Sequence, residues 1–378
     1  MQDNIETVAL AKAPDYSLDV LGPALDGLLG CLGGVAAFIR PGQKVLIKPN
    51  LLTDRSPPEA VTTHPEVVRA LIRVVRQHGA QPQVGDSPAS AARVATVWKK
   101  TGFEAMCAEE DVPLINLQEG GSIPYDVEGF RFNIAKTVLE ADVVVNVPKL
   151  KTHVFTTLTA AVKNMYGCVP GFQKTTLHKL YPTPTEFGGL MARIFRAAPQ
   201  HLNVVDGILA MDGDGPSGGR PHALGFLAAA RDAVALDVAL CRILGIRVNS
   251  VPYLTHLLPE KGEDQPEIEL VGADPDELSP ASFKLPSTFR TRLLPRGLIR
   301  LLGPLLWIRP AITDACLACG RCVRACPSEA LSLDGKPKPV LTPEKCIGCC
   351  CCHEVCPERA ITMRQSPLLD FFRRGKLP

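Results

Sequence analysis

The chain has no apolar run long enough to cross a bilayer, and its first residues, MQDNIETVALAKAPD, lack a basic stretch followed by an apolar one. Neither a transmembrane segment nor a signal peptide is expected. No charge of one sign dominates either: 41 Lys and Arg stand against 39 Asp and Glu, a formal net charge of +2. That balance offers no basic field for nucleic acid. Both G-x4-G-K-[ST] and a G-x-G-x-x-G turn after a first strand are missing, so P-loop and nicotinamide binding find no support. The even scatter of cysteines that marks a disulfide scaffold is absent too. Ten of the fourteen crowd into residues 316–356 of a 378-residue chain, and a reducing, cytoplasmic compartment is expected.

What is present, over the first three quarters, is alternation. Short apolar runs occur at KVLIK (44–48), PQVGD (82–86), VPLINL (112–117), ADVVVNV (141–147) and HLNVVD (201–206), with ALGFLAAA (223–230) as a further candidate. Helical patterns lie at 64–79, 91–103, 156–167 and 232–245. Near-continuous Val and Ile runs separated by helices predict an α/β domain over residues 1–283, its mainly parallel sheet covered by helices. Residues 284–310 then turn basic and leucine-rich, with Arg290, Arg292, Arg296, Arg300 and Arg309 and no acidic residue. They read as a connector packing its leucines on the domains; a membrane-surface or partner-docking segment is the alternative. Residues 311–364 form a small α+β module of bacterial-ferredoxin type, and 365–378 a tail.

The module rests on C-x2-C-x2-C-x3-C-P, at Cys316, Cys319, Cys322 and Cys326, repeated thirty positions later at Cys346, Cys349, Cys352 and Cys356. Such runs hold two [4Fe–4S] clusters, the fourth cysteine of each run ligating the other cluster. One cluster is thus expected on Cys316, Cys319, Cys322 and Cys356, the other on Cys346, Cys349, Cys352 and Cys326. Zinc also takes C-x2-C pairs, but rarely four cysteines twice over with each set closed by Cys-Pro. Cys350 and Cys351 read as bystanders, and Cys31, Cys107, Cys168 and Cys241 as structural.

In open α/β sheets ligands bind beyond the carboxyl ends of the strands, and here those ends are polar. KVLIK runs into Lys48 and Asn50, PQVGD ends at Asp86, ADVVVNV leads to Lys149, Lys151 and His153, and HLNVVD ends at Asp206 before a glycine-rich loop with Asp212 and Asp214. Lysines gathered there favour a carboxylate or phosphate; Asp86 and Asp206 could orient those lysines, shuttle protons or hold a divalent cation, and with Lys149 and His153 they are the catalytic candidates. Taken singly, each lysine reads equally as a surface residue and each aspartate as a turn former.

The set KPNL (48–51), THP (63–65), GDSP (85–88), VPKLKTH (147–153), VKNMYG (162–167) and the Asp-Gly loop at 206–219 resembles the family named domain of unknown function 362, over roughly residues 5–280. Its members often carry a two-cluster ferredoxin module at the C-terminus. The resemblance implies an iron–sulfur protein of redox function, without a substrate, and one site lined by Lys48, Asn50, Asp86, Lys149, Lys151, His153, Lys163, Asn164 and Asp206. Three functions stay open. The chain is an oxidoreductase passing electrons from an external donor or acceptor to an anionic small molecule; or an electron carrier or redox sensor whose α/β domain binds a protein; or a transferase or isomerase with structural clusters.

Overall fold

The computed structural model of the chain describes residues 5–89, 91–171, 173–259, 267–288, 305 and 307–368. Its strands, in chain order, begin with β1 (Ile5–Lys12), β2 (Lys44–Pro49), β3 (Gln81–Asp86) and β4 (Leu114–Asn116). A hairpin of β5 (Ser122–Val127) and β6 (Phe130–Ala135) follows, then β7 (Val143–Val147), β8 (Lys149–His153) and β9 (Thr157–Thr159). The large domain ends with β10 (Leu202–Asp212), β11 (Arg220–Ala230) and β12 (Glu267–Gly272). Across the sheet the order is β12-β1-β11-β10-β7-β2-β3-β4, with β8 paired to β10 and β9 to β8. From β10 to β4 all neighbours are parallel, whereas β11 runs antiparallel to both β10 and β1. The sheet is mixed and mostly parallel, as the Val-rich runs predict.

Alternation along each strand sends side chains to opposite faces. In β7, Val143, Val145 and Val147 join one apolar core with helices Leu18–Cys31 and Pro65–Gln77, while Val144 joins a second with helices Pro184–Ala197 and Ala233–Ile243. Burial on both faces explains why the strands read as continuous apolar runs.

One expected element differs. The helix predicted over 156–167 is a strand, a short helix and a turn: β9, then Ala161–Asn164, then the 3-10 turn Met165–Cys168. Thr156, Thr157 and Thr159 are β-branched and favour extended backbone. Pairing with β8, Lys151 opposite Thr159 and His153 opposite Thr157, uses that preference. The helix starts only where the Asp237 carboxylate accepts the Ala161 and Val162 amides, at 2.7 and 3.2 Å. This local rearrangement presents Lys163 and Asn164 to the site.

In the module, β13 (Ile308–Ile312) pairs antiparallel with β16 (Ile361–Gln365), and β14 (Leu331–Ser332) with β15 (Val340–Leu341). The thirty-residue sequence repeat is also a backbone repeat. Positive φ recurs at Ala318 and Gly348 (51° and 67°), at Gly320 and Cys350 (69° and 65°), and at Glu329 and Arg359 (53° and 50°). Cys350 therefore occupies a left-handed position that glycine fills in the first half. Most of the basic connector, residues 289–304 and 306, lies outside the described residues. Among the described residues no helix is long and apolar enough to cross a membrane.

Candidate functional site

The cysteines of the module surround two cavities. The first, with an open volume of about 350 Å³, has Cys316, Cys319, Cys322 and Cys356 in its wall. The second, about 320 Å³, has Cys326, Cys346, Cys349 and Cys352. Each set takes its fourth member from the other repeat. Sulfurs spread around a cavity in this way suit the cube of a [4Fe–4S] cluster. Backbone amides point at the sulfurs, from Ala330 to Cys326 Sγ and from Ala360 to Cys356 Sγ, each at 3.2 Å. Such bonds favour thiolate and help set a cluster's potential.

The polar strand ends of the α/β domain divide into two hydrogen-bonded groups. In the first, Lys149 Nζ donates to Asp206 Oδ2 (2.8 Å) and to the Tyr16 hydroxyl (2.9 Å), and that hydroxyl donates to Asp206 Oδ1 (2.9 Å). The His64 amide also donates to Asp206, and the His64 ring stacks on Tyr16 with centroids 3.7 Å apart. Every member is satisfied within the cluster. In the second, Lys48 Nζ donates to Asp86 Oδ1 at 2.8 Å, both groups buried, and Asp86 Oδ2 accepts the Leu51 amide. Gly167 crosses directly over this pair, and a Cβ there would collide with Lys48 Nζ and Asp86 Oδ1. The glycine of VKNMYG is thus set by close approach. Asp212 and Asp214 stay with their loop, Asp212 pairing with Arg220 and His222 and Asp214 accepting the Ser287 amide.

Beyond this second group lies a cleft between the domains. Asn50, Asp86, Lys151, Lys163, Asn164 and Lys174 contribute from the α/β side, and Ala325, Cys351, Glu354 and Val355 from the module. Lys151 Nζ is anchored to Asn50 Oδ1 and the Val61 carbonyl, both at 2.6 Å. Lys174 Nζ donates to the Ser87 carbonyl. Lys163 Nζ has no hydrogen-bond or ion-pair partner among the described residues. Of the nine residues expected to share one site, Asn50, Asp86, Lys151, Lys163 and Asn164 line this cleft; Lys48 and His153 stand behind it; Lys149 and Asp206 pair with each other in the Tyr16 cluster.

Residues that the sequence reading left aside complete the wall. Glu354 lies inside the second cysteine motif, at the position of Arg324 in the first. That reversal of charge between otherwise matching repeats is a signal the sequence carries. Its Oε1 stands 3.1 Å from His153 Nε2, without the alignment of a hydrogen bond. His153 Nδ1 accepts the Phe155 amide at 2.9 Å, which keeps the ring neutral with its proton on Nε2. Burial, reinforced by Lys163, holds His153 down to about 3. Burial likewise depresses Lys151 well below the usual lysine range, Lys163 adding to it, and brings Lys174 to about 8. Burial lowers Lys163 also, against the opposing pull of Glu354.

The module is docked by charge and backbone contacts. Arg321 forms a two-pronged pair with the buried Asp54 (2.5 and 3.0 Å), Arg55 donates to the Cys356 carbonyl (2.7 Å), and Ser217 to the Glu354 carbonyl (2.8 Å).

The paired cysteine cavities and the repeat around them define an iron–sulfur electron-transfer protein. Residues 315–363 match the 4Fe-4S dicluster domain, whose two [4Fe–4S] clusters are its cofactors. Residues 45–242 match the family described as Domain of unknown function (DUF362), and the chain belongs to it. It is 37% identical over 254 residues to the thylakoid-associated protein sll1697 of Synechocystis sp., spanning 66% of this chain and 78% of that one. Among solved structures, the lactate racemase apoprotein from Thermoanaerobacterium thermosaccharolyticum is similar with a TM-score of 0.34 at 13% identity, over 63% of this chain and 57% of that one. The chain therefore spans less than two thirds of that structure.

Proposed function

We propose that the protein is an oxidoreductase that moves electrons between an external partner and an anionic small molecule held in the cleft between the domains. One observation carries this reading: the cleft wall is shared by lysines of the α/β domain and by the short helical segment between Cys349 and Cys356. In the proposed assignment, Cys316, Cys319, Cys322 and Cys356 hold one cluster and Cys346, Cys349, Cys352 and Cys326 the other. Bound there, the clusters supply one-electron transfer.

The chain's own residues do the rest. Lys163 offers positive charge to the anion, and a bound anion would draw a proton onto Lys151 beside it, in a site where burial strengthens each interaction. Asn50 and the Val61 carbonyl hold Lys151 in place, and the Lys48–Asp86 pair braces the floor. His153, neutral with Nε2–H toward Glu354, is the candidate proton carrier beside the cleft. Lys149 and Asp206 act as a structural brace with Tyr16. Partner access is best at the first cysteine loop, where Cys319 is exposed and Leu317 is 70% exposed. The need to keep eight cysteines as thiolates supports a reducing, cytoplasmic setting.

The test is anaerobic. Cluster-loaded, dithionite-reduced protein is mixed with a panel of small carboxylates and phosphates while cluster absorbance is followed. Reoxidation by some members, saturable in concentration, is the expected result. A panel without effect, together with reoxidation by partner proteins alone, would overturn the reading.

A further inference from the structure

A row of asparagines gives the cleft wall a direction. Asn203 Nδ2, on β10, donates to the Arg231 carbonyl at 3.0 Å, which turns Asn203 Oδ1 toward Asn146 on β7. Asn146 Nδ2 donates to that oxygen at 2.8 Å and to the Ala161 carbonyl at 2.9 Å, leaving Asn146 Oδ1 toward Asn164. Asn164 Nδ2 donates to it at 2.8 Å and reaches the Pro49 carbonyl at 3.3 Å. Flipping any one amide would set N–H against N–H or oxygen against oxygen, so backbone carbonyls at several points fix the whole row.

The row ends on Asn164 Oδ1. It is an acceptor with no partner among the described residues, on a side chain only 2% exposed. Thr159 Oγ1 and His178 Nδ1, on residues 2% and 6% exposed, are also unpartnered and belong to the same cleft. Buried polar atoms are rarely left unpaired. Lys163 is the complementary feature: Lys48, Lys149, Lys151 and Lys174 all have partners, while its amine has none among the described residues.

Resting on the proposed anion-binding role of the cleft, we infer that its ligand is a small carboxylate or phosphate that also carries its own hydroxyl or N–H. The anion meets Lys163 and the donor meets Asn164 Oδ1. A bare anion leaves the end of the asparagine row unsatisfied and binds more weakly. Sequence alone gives the lysine; only the direction of the row gives the donor.

The test uses matched probes: glycerate against propionate, and glycerol phosphate against propyl phosphate. Each is titrated by calorimetry into anaerobic, cluster-loaded protein. The hydroxylated member of at least one pair should bind about 10-fold or more tightly, the scale set by an unpaired buried acceptor. Lys163→Ala should weaken both members, and Asn164→Ala should erase the preference while leaving binding. Equal affinities within both pairs, with Lys163→Ala still weakening them, would overturn the donor requirement and leave the anion site standing. Four probes that fail to bind, or that ignore Lys163→Ala, would overturn both.

Discussion

The α/β domain and the cluster module reach their polar groups by opposite means. The domain has a sheet with an apolar core on each face, and it can bury Lys48, Lys149 and Lys151 completely because that core holds them in place. The module's own core is Cys322, Leu331, Cys352 and Ile361 with a few partly buried neighbours. In one region the fold supports the chemistry; in the other the chemistry must support the fold.

Removing iron should break this comparison most visibly. Apo protein is expected to lose hydrogen-exchange protection throughout residues 311–364 while the sheet of the large domain keeps its own. Protection of the module without iron would show a core that stands unaided.

Next in size is the buried pair of the α/β domain. Asp86→Ala leaves Lys48 charged and unpaired at zero exposure, and a loss of about 3–5 kcal/mol in denaturant unfolding is expected. A loss under about 1 kcal/mol would mean that water reaches Lys48.

The seam between the regions comes third. Arg321→Ala should cost roughly 1–3 kcal/mol of docking, read as faster proteolysis between the domains. A double-mutant cycle with Asp54→Ala should return most of that loss as coupling.

How much of this was legible in the sequence follows the same division. Spacing predicts the cysteine sets because three members of each lie in one local run and the repeat supplies the fourth, and the same two sets line the two cavities. The lysines needed the fold. Strand ends predict one edge of a sheet, but not the partners met there. Lys48 on β2 takes Asp86 and Asp206 on β10 takes Lys149, so Lys149 and Asp206 left the expected site and joined Tyr16 and His64. The helix expected over 156–167 failed because threonines at its start found a strand partner in β8. Glu354 and Cys351 were hidden by the cysteine motif that contains them, although Arg324 at the matching position marks the asymmetry.

The smallest expected effect is acid sensitivity. Burial holds His178 down to about 4, below the ordinary histidine value of 6.5. Between these values the unfolded chain binds more protons than the folded one, so this group's contribution is intact above 6.5 and is lost as pH falls toward 4. His178→Phe, next to the stacked Phe187 ring at 4.2 Å, should make stability fall less steeply over that range in pH-dependent unfolding. An unchanged slope would assign the acid response elsewhere.

The central claim is that electrons cross between the module and the cleft that Lys163 lines. It is tested most directly by single-turnover reoxidation of reduced, fully loaded protein with an anion that reoxidises the wild type, followed by rapid-freeze electron paramagnetic resonance. Lys163→Ala with unchanged cluster content is expected to lose this reoxidation while its clusters still exchange electrons with a small dye. Reoxidation by the anion at the wild-type rate in Lys163→Ala would contradict the account.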